Sequence, residues 1–259
     1  MFKSQRQNEI LEMLTKENFI SVNELSSRLF ASTPTVRRDL TALENAGLVK
    51  RCHGGVMLYD GKETSPLYFR QGKNSSEKAR MARLAATLIT TGAVIYADAS
   101  STALQLAECL PKNEKLTVIT NGLLAAKSFA DEGVQVYSTG GKLLTESYAF
   151  VGHTAEEALS KYNADIMFFS AASLSSDGEI SDWSEEECNM RIAMTRSAAL
   201  KVFMCDSSKF SKRSPFKLMA IDAMDYVVTD EPLPEGIRER FLLVSPESAT
   251  AYLYKNLKS

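Results

Sequence analysis

Ser32-Thr33-Pro34-Thr35-Val36-Arg37-Arg38-Asp39-Leu40 decides how the first part of this chain folds. Proline has no N–H to leave unpaired and its φ suits the first turn of a helix. A hydroxyl residue ahead of it supplies the cap, so Thr33 is expected at the N-cap and Pro34 at the first helical position. Val36, Leu40 and Leu43 then fall at i, i+4 and i+7 and must face a core. The helix is expected to run to about Ala46, where Gly47 stops it. At 100° per residue this pattern turns Pro34, Thr35, Arg37, Arg38, Thr41 and Asn45 toward solvent.

Working back from that helix, Ser21-Val22-Asn23-Glu24 reads as a capping box in which hydroxyl and carboxylate each satisfy an orphan backbone N–H. A second helix follows it and buries Leu25 and Leu29. Ile10, Leu11, Met13 and Leu14 mark a first amphipathic helix that ends near Lys16. Working forward, Leu48-Val49-Lys50-Arg51 and Val56-Met57-Leu58 flank Cys52-His53-Gly54-Gly55 as two short strands of a hairpin.

Three helices and a hairpin in this order fit either a small bundle whose arginines are merely solvated or a winged helix-turn-helix, whose second helix of the pair enters the DNA major groove with its N-terminal half. The expected DNA-contacting set is Thr33, Thr35, Arg37, Arg38 and Thr41 on the helix, with Lys50, Arg51 and His53 on the wing. Arginine suits both base edges and phosphates through its bidentate fork. Residues 1–60 hold eight Lys and Arg against seven Asp and Glu, so the placement of the bases carries the argument and their total does not.

The whole chain has 259 residues, 44% of them hydrophobic, which is enough for a small domain beside a larger one. We assign residues 1–59 to the DNA-binding domain, 60–76 to a linker marked by Gly61, Pro66 and Gly72, and 77–259 to a second domain. A net charge of −2 excludes a wholly basic nucleic-acid coat but not a small reader with one positive face. Cys52, Cys109, Cys188 and Cys205 are scattered without a CxxC pair, so neither a zinc site nor a disulfide framework is expected, and no metal or cofactor is assigned. The amino terminus lacks a signal peptide's apolar segment, and no run approaches the ~20 apolar residues of a membrane span. A cytoplasmic location is expected.

From Glu77 onward, short apolar runs alternate with helical patterns: Val94–Ala97, Leu116–Ile119, Val134–Tyr137, Ile166–Phe169, Val202–Cys205 and Tyr226–Val228. That alternation predicts an α/β domain with a mostly parallel sheet. Ligands of such sheets bind beyond the strands' carboxyl ends. The loops there are small and polar: Asp98-Ala99-Ser100-Ser101-Thr102, Thr120-Asn121-Gly122, Thr139-Gly140-Gly141 and Asp206-Ser207-Ser208-Lys209. Ser100, Ser101 and Thr102, read as lying just before a helix, offer hydroxyls and N–H groups to an anion such as phosphate. Gly140 and Gly141 would let a ligand approach the backbone, and Lys209 adds a cation. Taken singly, a Ser-Ser-Thr run also serves as an ordinary N-cap and Gly-Gly as a turn. The acidic stretch from Asp177 to Glu187 reads as a solvated loop and helix start, and Met190 with Met194 as core.

The run Ser32 to Leu40, with Leu43, Gly47 and Arg51-Cys52-His53-Gly54-Gly55, resembles the signature of the DeoR family of transcriptional regulators. The second domain is similar to the sensor domain of that family, which has the fold of sugar-phosphate isomerases and CoA transferases and binds phosphorylated sugars or related metabolites. The resemblance implies an effector site at Asp98, Ser100, Ser101, Thr102, Asn121, Gly140, Gly141, Glu187, Arg191 and Lys209. Ser100 stands where the family has glycine, and Arg191 where its E-x-x-x-K pattern has lysine. Arginine there would favour a ligand carboxylate or phosphate.

The function so implied is repression of a carbohydrate or related catabolic operon, relieved or strengthened by a phosphorylated metabolite. The partners are an operator duplex, that effector, and further copies of the chain as a homodimer or homotetramer. The alternative is a sugar-phosphate isomerase-like enzyme carrying a DNA reader. Regulation is preferred because no catalytic constellation accompanies the reader.

Overall fold

The computed structural model describes residues 3–17, 20–52, 55–58, 67–111, 115–245 and 250–258. The chain divides into two compact units, Met1–Gly72 and Lys73–Ser259.

In the first unit α1 (Lys3–Lys16), β1 (Ile20–Ser21), α2 (Val22–Arg28) and α3 (Thr33–Asn45) precede a hairpin of β2 (Val49–Cys52) and β3 (Gly55–Leu58). Strand β3 lies between β1 and β2, antiparallel to both. The i, i+4, i+7 stripe of α3 is buried as its spacing requires, with Val36, Leu40 and Leu43 packed among Ile10, Leu11, Leu14, Leu25 and Leu29.

The cap of α3 sits one residue earlier than the sequence implied. Ser32 has extended backbone and its Oγ accepts the Thr35 N–H, so Thr33 is already helical. The capping box on α2 is half made. Ser21 Oγ accepts the Glu24 N–H at 3.1 Å, while the Glu24 carboxylate turns to Arg28. Asp39, which the motif leaves without a role, is buried and ion-paired with Arg6, tying α3 to α1. His53 and residues 60–66 of the expected linker lie outside the described residues. In the rest of that linker a short helix α4 (Leu67–Gly72) is described.

The second unit opens with α5 (Ser75–Ala86) and then builds β4 (Val94–Ala97), β5 (Thr117–Thr120), α6 (Leu123–Asp131), β6 (Gln135–Ser138), β7 (Lys142–Leu144), β8 (Ala149–Val151) and α7 (His153–Leu159). It continues through β9 (Ala164–Phe169), β10 (Ser173–Leu174), β11 (Glu179–Asp182), α8 (Glu185–Arg196), β12 (Ala198–Cys205), β13 (Phe216–Ala220), β14 (Tyr226–Thr229), α9 (Glu235–Arg238), β15 (Phe241–Leu243) and β16 (Tyr252–Asn256). Eight strands form one sheet in the order β15-β16-β14-β12-β9-β4-β5-β6. The six from β14 to β6 are parallel, β16 is antiparallel to β14, and β15 is antiparallel to β16.

Side chains alternate across this sheet as a two-residue period demands. Ile95, Ala97, Ile166, Phe168, Val202 and Met204 pack on one face with Met81 and Ala85 of α5 and Phe129 of α6. Tyr96, Met167, Phe169, Phe203 and Cys205 pack on the other with Ala155 of α7, Met190 and Met194 of α8, and Ile180 of β11. Both faces are covered, which is why the parallel strands read as continuous apolar runs.

From β4 the chain proceeds outward through β5 to β6, then returns to place β9 on the other side of β4. That reversal is the topological switch point at which open α/β sheets form a crevice beyond their strand ends. Asp98 follows β4 and Ser170 follows β9, so both stand at it. The helix expected after Thr102 is a 3-10 helix, Ala103–Cys109. Its short, tight turns sum to a weaker dipole than the one invoked for anion binding.

Candidate functional sites

In the first unit Arg37 and Arg38 are exposed and have no ion-pair partner among the described residues. Thr33 and Thr35 are half-buried beside the cap, with Thr35 Oγ1 2.8 Å from Ser32 Oγ. Arg51 reaches from the wing to the helix. Its Nη1 donates to Thr41 Oγ1 at 3.3 Å and its backbone N–H to Glu44 Oε1 at 3.1 Å. Thr41 in turn donates to the Arg37 carbonyl. The wing strand is therefore pinned to the exposed flank of α3, and the backbone of Lys50 lies in the same strand.

In the second unit the centre of the site is Arg191, which is fully buried on α8. Its Nε donates to Asp98 Oδ2 at 2.8 Å, Nη1 to Asp182 Oδ2 at 2.9 Å and Nη2 to Glu187 Oε2 at 3.1 Å. Desolvation works against the charged guanidinium here, but Asp182, Asp98 and Glu187 together outweigh it and hold its pKa above the ordinary value. The expectation that Arg191 presents its fork to a ligand anion is corrected by this geometry, because each nitrogen already serves a carboxylate of the chain. Asp182 and Glu187 likewise leave the solvated stretch assigned to them and lie buried.

The carboxylates extend the network into the loops. Asp98 Oδ1 accepts the Ser100 N–H, and Asp182 Oδ2 accepts the Ala172 N–H. Lys209 Nζ donates to Ser170 Oγ at 2.7 Å and lies 3.4 Å from Asp206 Oδ2. Ser170 Oγ in turn donates to the Met204 carbonyl. Asp206 also accepts from Asn74 Nδ2 at 3.0 Å and from the Ser208 hydroxyl. Burial raises its pKa, yet Lys209, those hydrogen bonds and Lys78 overcome that and bring it down to about 2.

Lys78 sits on the apolar stripe of α5 beside Met81, Ala82 and Ala85, buried, with Nζ 3.2 Å from Ser101 Oγ and 2.7 Å from the Lys73 carbonyl. The other hydroxyls divide. Ser100 Oγ is used internally, accepting the Ala103 N–H. Thr102 Oγ1, Asn121 Oδ1 and Ser147 Oγ are buried without a hydrogen-bond partner among the described residues. The loops after β4 and β5 touch, since a Cβ on Gly122 would meet Ala99 Cα at 3.0 Å.

No described hydrogen bond joins Gly140 or Gly141 to this group. Gly141, at φ +108°, exists for packing, because a Cβ there would lie 2.8 Å from the Val151 carbonyl oxygen and 2.9 Å from Ala155 Cβ. The close approach is made by β8 and α7, where a ligand had been expected.

Comparison with known proteins agrees with both halves of this geometry. Residues 6–62 match the family model of the DeoR-like helix-turn-helix domain, and residues 73–231 that of the DeoR C-terminal sensor domain. The chain belongs to the DeoR family. Among curated proteins it is 33% identical to the HTH-type transcriptional regulator GolR of Listeria innocua, over 93% of this chain and 96% of that one. It is 33% identical to the transcriptional repressor AccR of Agrobacterium fabrum, over 93% and 97%. It is 27% identical to the glycerol-3-phosphate regulon repressor of Escherichia coli, over 92% and 95%. Among solved structures, ribose 5-phosphate isomerase A of Methanocaldococcus jannaschii aligns at 16% identity with a TM-score of 0.41, covering 72% of this chain and 83% of that one.

As a DeoR-family member the chain is a DNA-binding transcriptional regulator with a sensor domain. Among the described residues no helix is long and apolar enough to cross a membrane. The sequence reading of this DeoR-family sensor missed Lys78, Asn74, Ser147, Ser170 and Asp182. Only Lys78 carried a legible signal, a lysine in register with an apolar helical stripe.

Two outcomes follow from the charges. Arg191→Met leaves three buried carboxylates without their cation and should cost about 3–5 kcal/mol in urea denaturation. Arg191→Lys keeps the charge and should cost less. Asp206 has a folded pKa below its unfolded one, so its contribution is present above the usual carboxylate range and is lost as pH falls toward about 2. Wild type should lose ~2 kcal/mol more than Asp206→Asn between pH 5 and pH 2, measured by denaturant titration across pH.

Proposed function

We propose that the sensor unit binds a phosphorylated sugar or related metabolite in the crevice where the loops after β4, β5 and β12 converge, and that binding changes the protein's affinity for its operator. The observation that carries this reading is the buried Thr102 Oγ1 and Asn121 Oδ1, unpartnered among the described residues, on two loops in contact, with Lys78 bonded to Ser101 of the same loop as Thr102. Buried polar atoms without partners are uncommon in finished structures, and a ligand would satisfy them. Lys209 and Lys78 supply cationic charge for a phosphate. Ser101 and Thr102 add hydroxyls, and Asn121 and Ser147 offer groups that read a hydroxylated body. Asp98, Glu187 and Arg191 act by positioning these loops.

The name of the Escherichia coli relative, a glycerol-3-phosphate regulon repressor, supports a phosphorylated effector of this general kind. Regulation without catalysis is favoured by the state of Asp98 and Glu187. As carboxylates at strand and helix ends they would be candidate bases for an isomerase, and both are bound to Arg191.

In the reader, Arg37, Arg38 and Arg51 with Thr33, Thr35 and Thr41 form the proposed groove and phosphate contacts, with Lys50 and His53 assigned to the wing. The chain acts as a homodimer or homotetramer on paired half-sites, with residues 1–59 reading DNA and 77–259 sensing the effector.

Arg37→Ala combined with Arg38→Ala should weaken operator binding at least ~100-fold and reduce the salt dependence of affinity, with the second unit's stability unchanged. Fluorescence anisotropy across a salt series measures both, and unaltered affinity would refute the groove assignment. Lys209→Ala should abolish the thermal shift that a panel of sugar phosphates produces in wild type, while operator affinity stays within about threefold. A wild-type protein that no sugar phosphate stabilises, or that turns one over, would refute the sensor reading.

A further inference from the structure

Phe30 is 97% exposed, and its φ of +48° lies in the left-handed region. Neither property belongs to a phenylalanine that serves the fold. The helix α2 ends there in a Schellman arrangement: the Phe30 N–H reaches the Ser27 carbonyl at 3.3 Å and the Ala31 N–H the Ser26 carbonyl at 3.1 Å. That arrangement places Phe30 at the position where glycine is preferred, because a Cβ is disfavoured in left-handed backbone. The neighbouring Leu29 is 3% exposed and does the packing. Glycine would suit the backbone better and forfeit no buried surface, so the aromatic ring is explained by something outside the folded unit.

We infer that Phe30 is a DNA-contacting residue, making an apolar contact with the operator beside the groove entered by α3. Three observations favour DNA as its partner. Phe30 stands two residues ahead of Ser32, the cap of α3, and so at the end of the helix that approaches base edges. The turn that carries it is rigid, since Ser26 Oγ donates to the Ala31 carbonyl at 2.5 Å and lies 3.5 Å from Thr33 Oγ1. The helix that follows this turn is the one bearing Arg37 and Arg38, both exposed and without an ion-pair partner among the described residues. An aromatic ring offers nothing to a phosphate oxygen. Its partners on a duplex are the carbons of a deoxyribose or the C5-methyl of a thymine. This inference rests on the groove assignment made above for α3.

The test uses the full-length protein and a duplex that it selects from a random pool. Phe30→Gly is expected to leave the thermal midpoint unlowered, weaken binding about tenfold, and keep the slope of log affinity against log salt unchanged, because no charge is removed. Phe30→Leu, with the same backbone cost but an apolar side chain, should retain most of the affinity. Replacing each thymine by uracil separates the two sources. A methyl contact makes one replacement costly for wild type and neutral for Phe30→Gly, whereas a deoxyribose contact makes none costly.

Unchanged affinity of Phe30→Gly overturns the inference. So does a loss of affinity that sedimentation traces to broken self-association, which would make a second copy of the chain the partner. The Arg37, Arg38 double variant serves as control: if it too binds normally, the groove assignment has failed and not this contact alone.

Discussion

One guanidinium shared by three carboxylates holds the sensor unit's site together. Charges taken out of water are costly, and only close geometry repays the cost. Here Arg191 meets Asp98 from the loop after β4, Asp182 from the end of β11 and Glu187 from its own helix. Each carboxylate then accepts a backbone N–H or orients the segment that carries it, so the ionic cluster sets loop positions that no apolar packing specifies. The sheet supplies the place, a crevice where strand order reverses. The arginine supplies the arrangement within it.

A second group of charges lies on the neighbouring strand ends, and it differs in kind. Lys209 bonds Ser170 and lies beside Asp206, and Lys78 bonds Ser101 and the Lys73 carbonyl, with Lys209 retaining some exposure. The unpartnered atoms of Thr102 and Asn121 belong to the loops between them.

The architecture was legible where backbone periodicity determined it. All six parallel strands were readable from apolar runs, and α3 from its stripe and its proline, because burial on two faces or one leaves a pattern in residue order. The antiparallel pieces β7, β8, β10, β11, β13, β15 and β16 were not, since two to five residues are too few for alternation to register. Site residues were legible where they lie in loops after strands. What Arg191 touches was not, since its Asp98 partner is 93 residues away. Charge type suggested an external anion, and only tertiary placement shows internal carboxylates. Gly141 teaches the same point, because a glycine that admits a close neighbour does not say which neighbour. The cap of α3 fell on Ser32 and not Thr33 because Ser-Thr-Pro offers two adjacent hydroxyls, and backbone geometry chooses between them.

That spacing also bears on the order in which the protein assembles during synthesis. The reader draws its core from residues 10 to 56, joined mostly by neighbouring helices and one hairpin. The crevice cannot close until Asp98, Asp182, Arg191 and Lys209 have all left the ribosome, and contacts so far apart in sequence form slowly. The unit that recognises DNA is therefore complete while the unit that governs it is still being made. A nascent or truncated chain of this design would carry the helix-turn-helix unit's core without the sensor unit's ionic cluster.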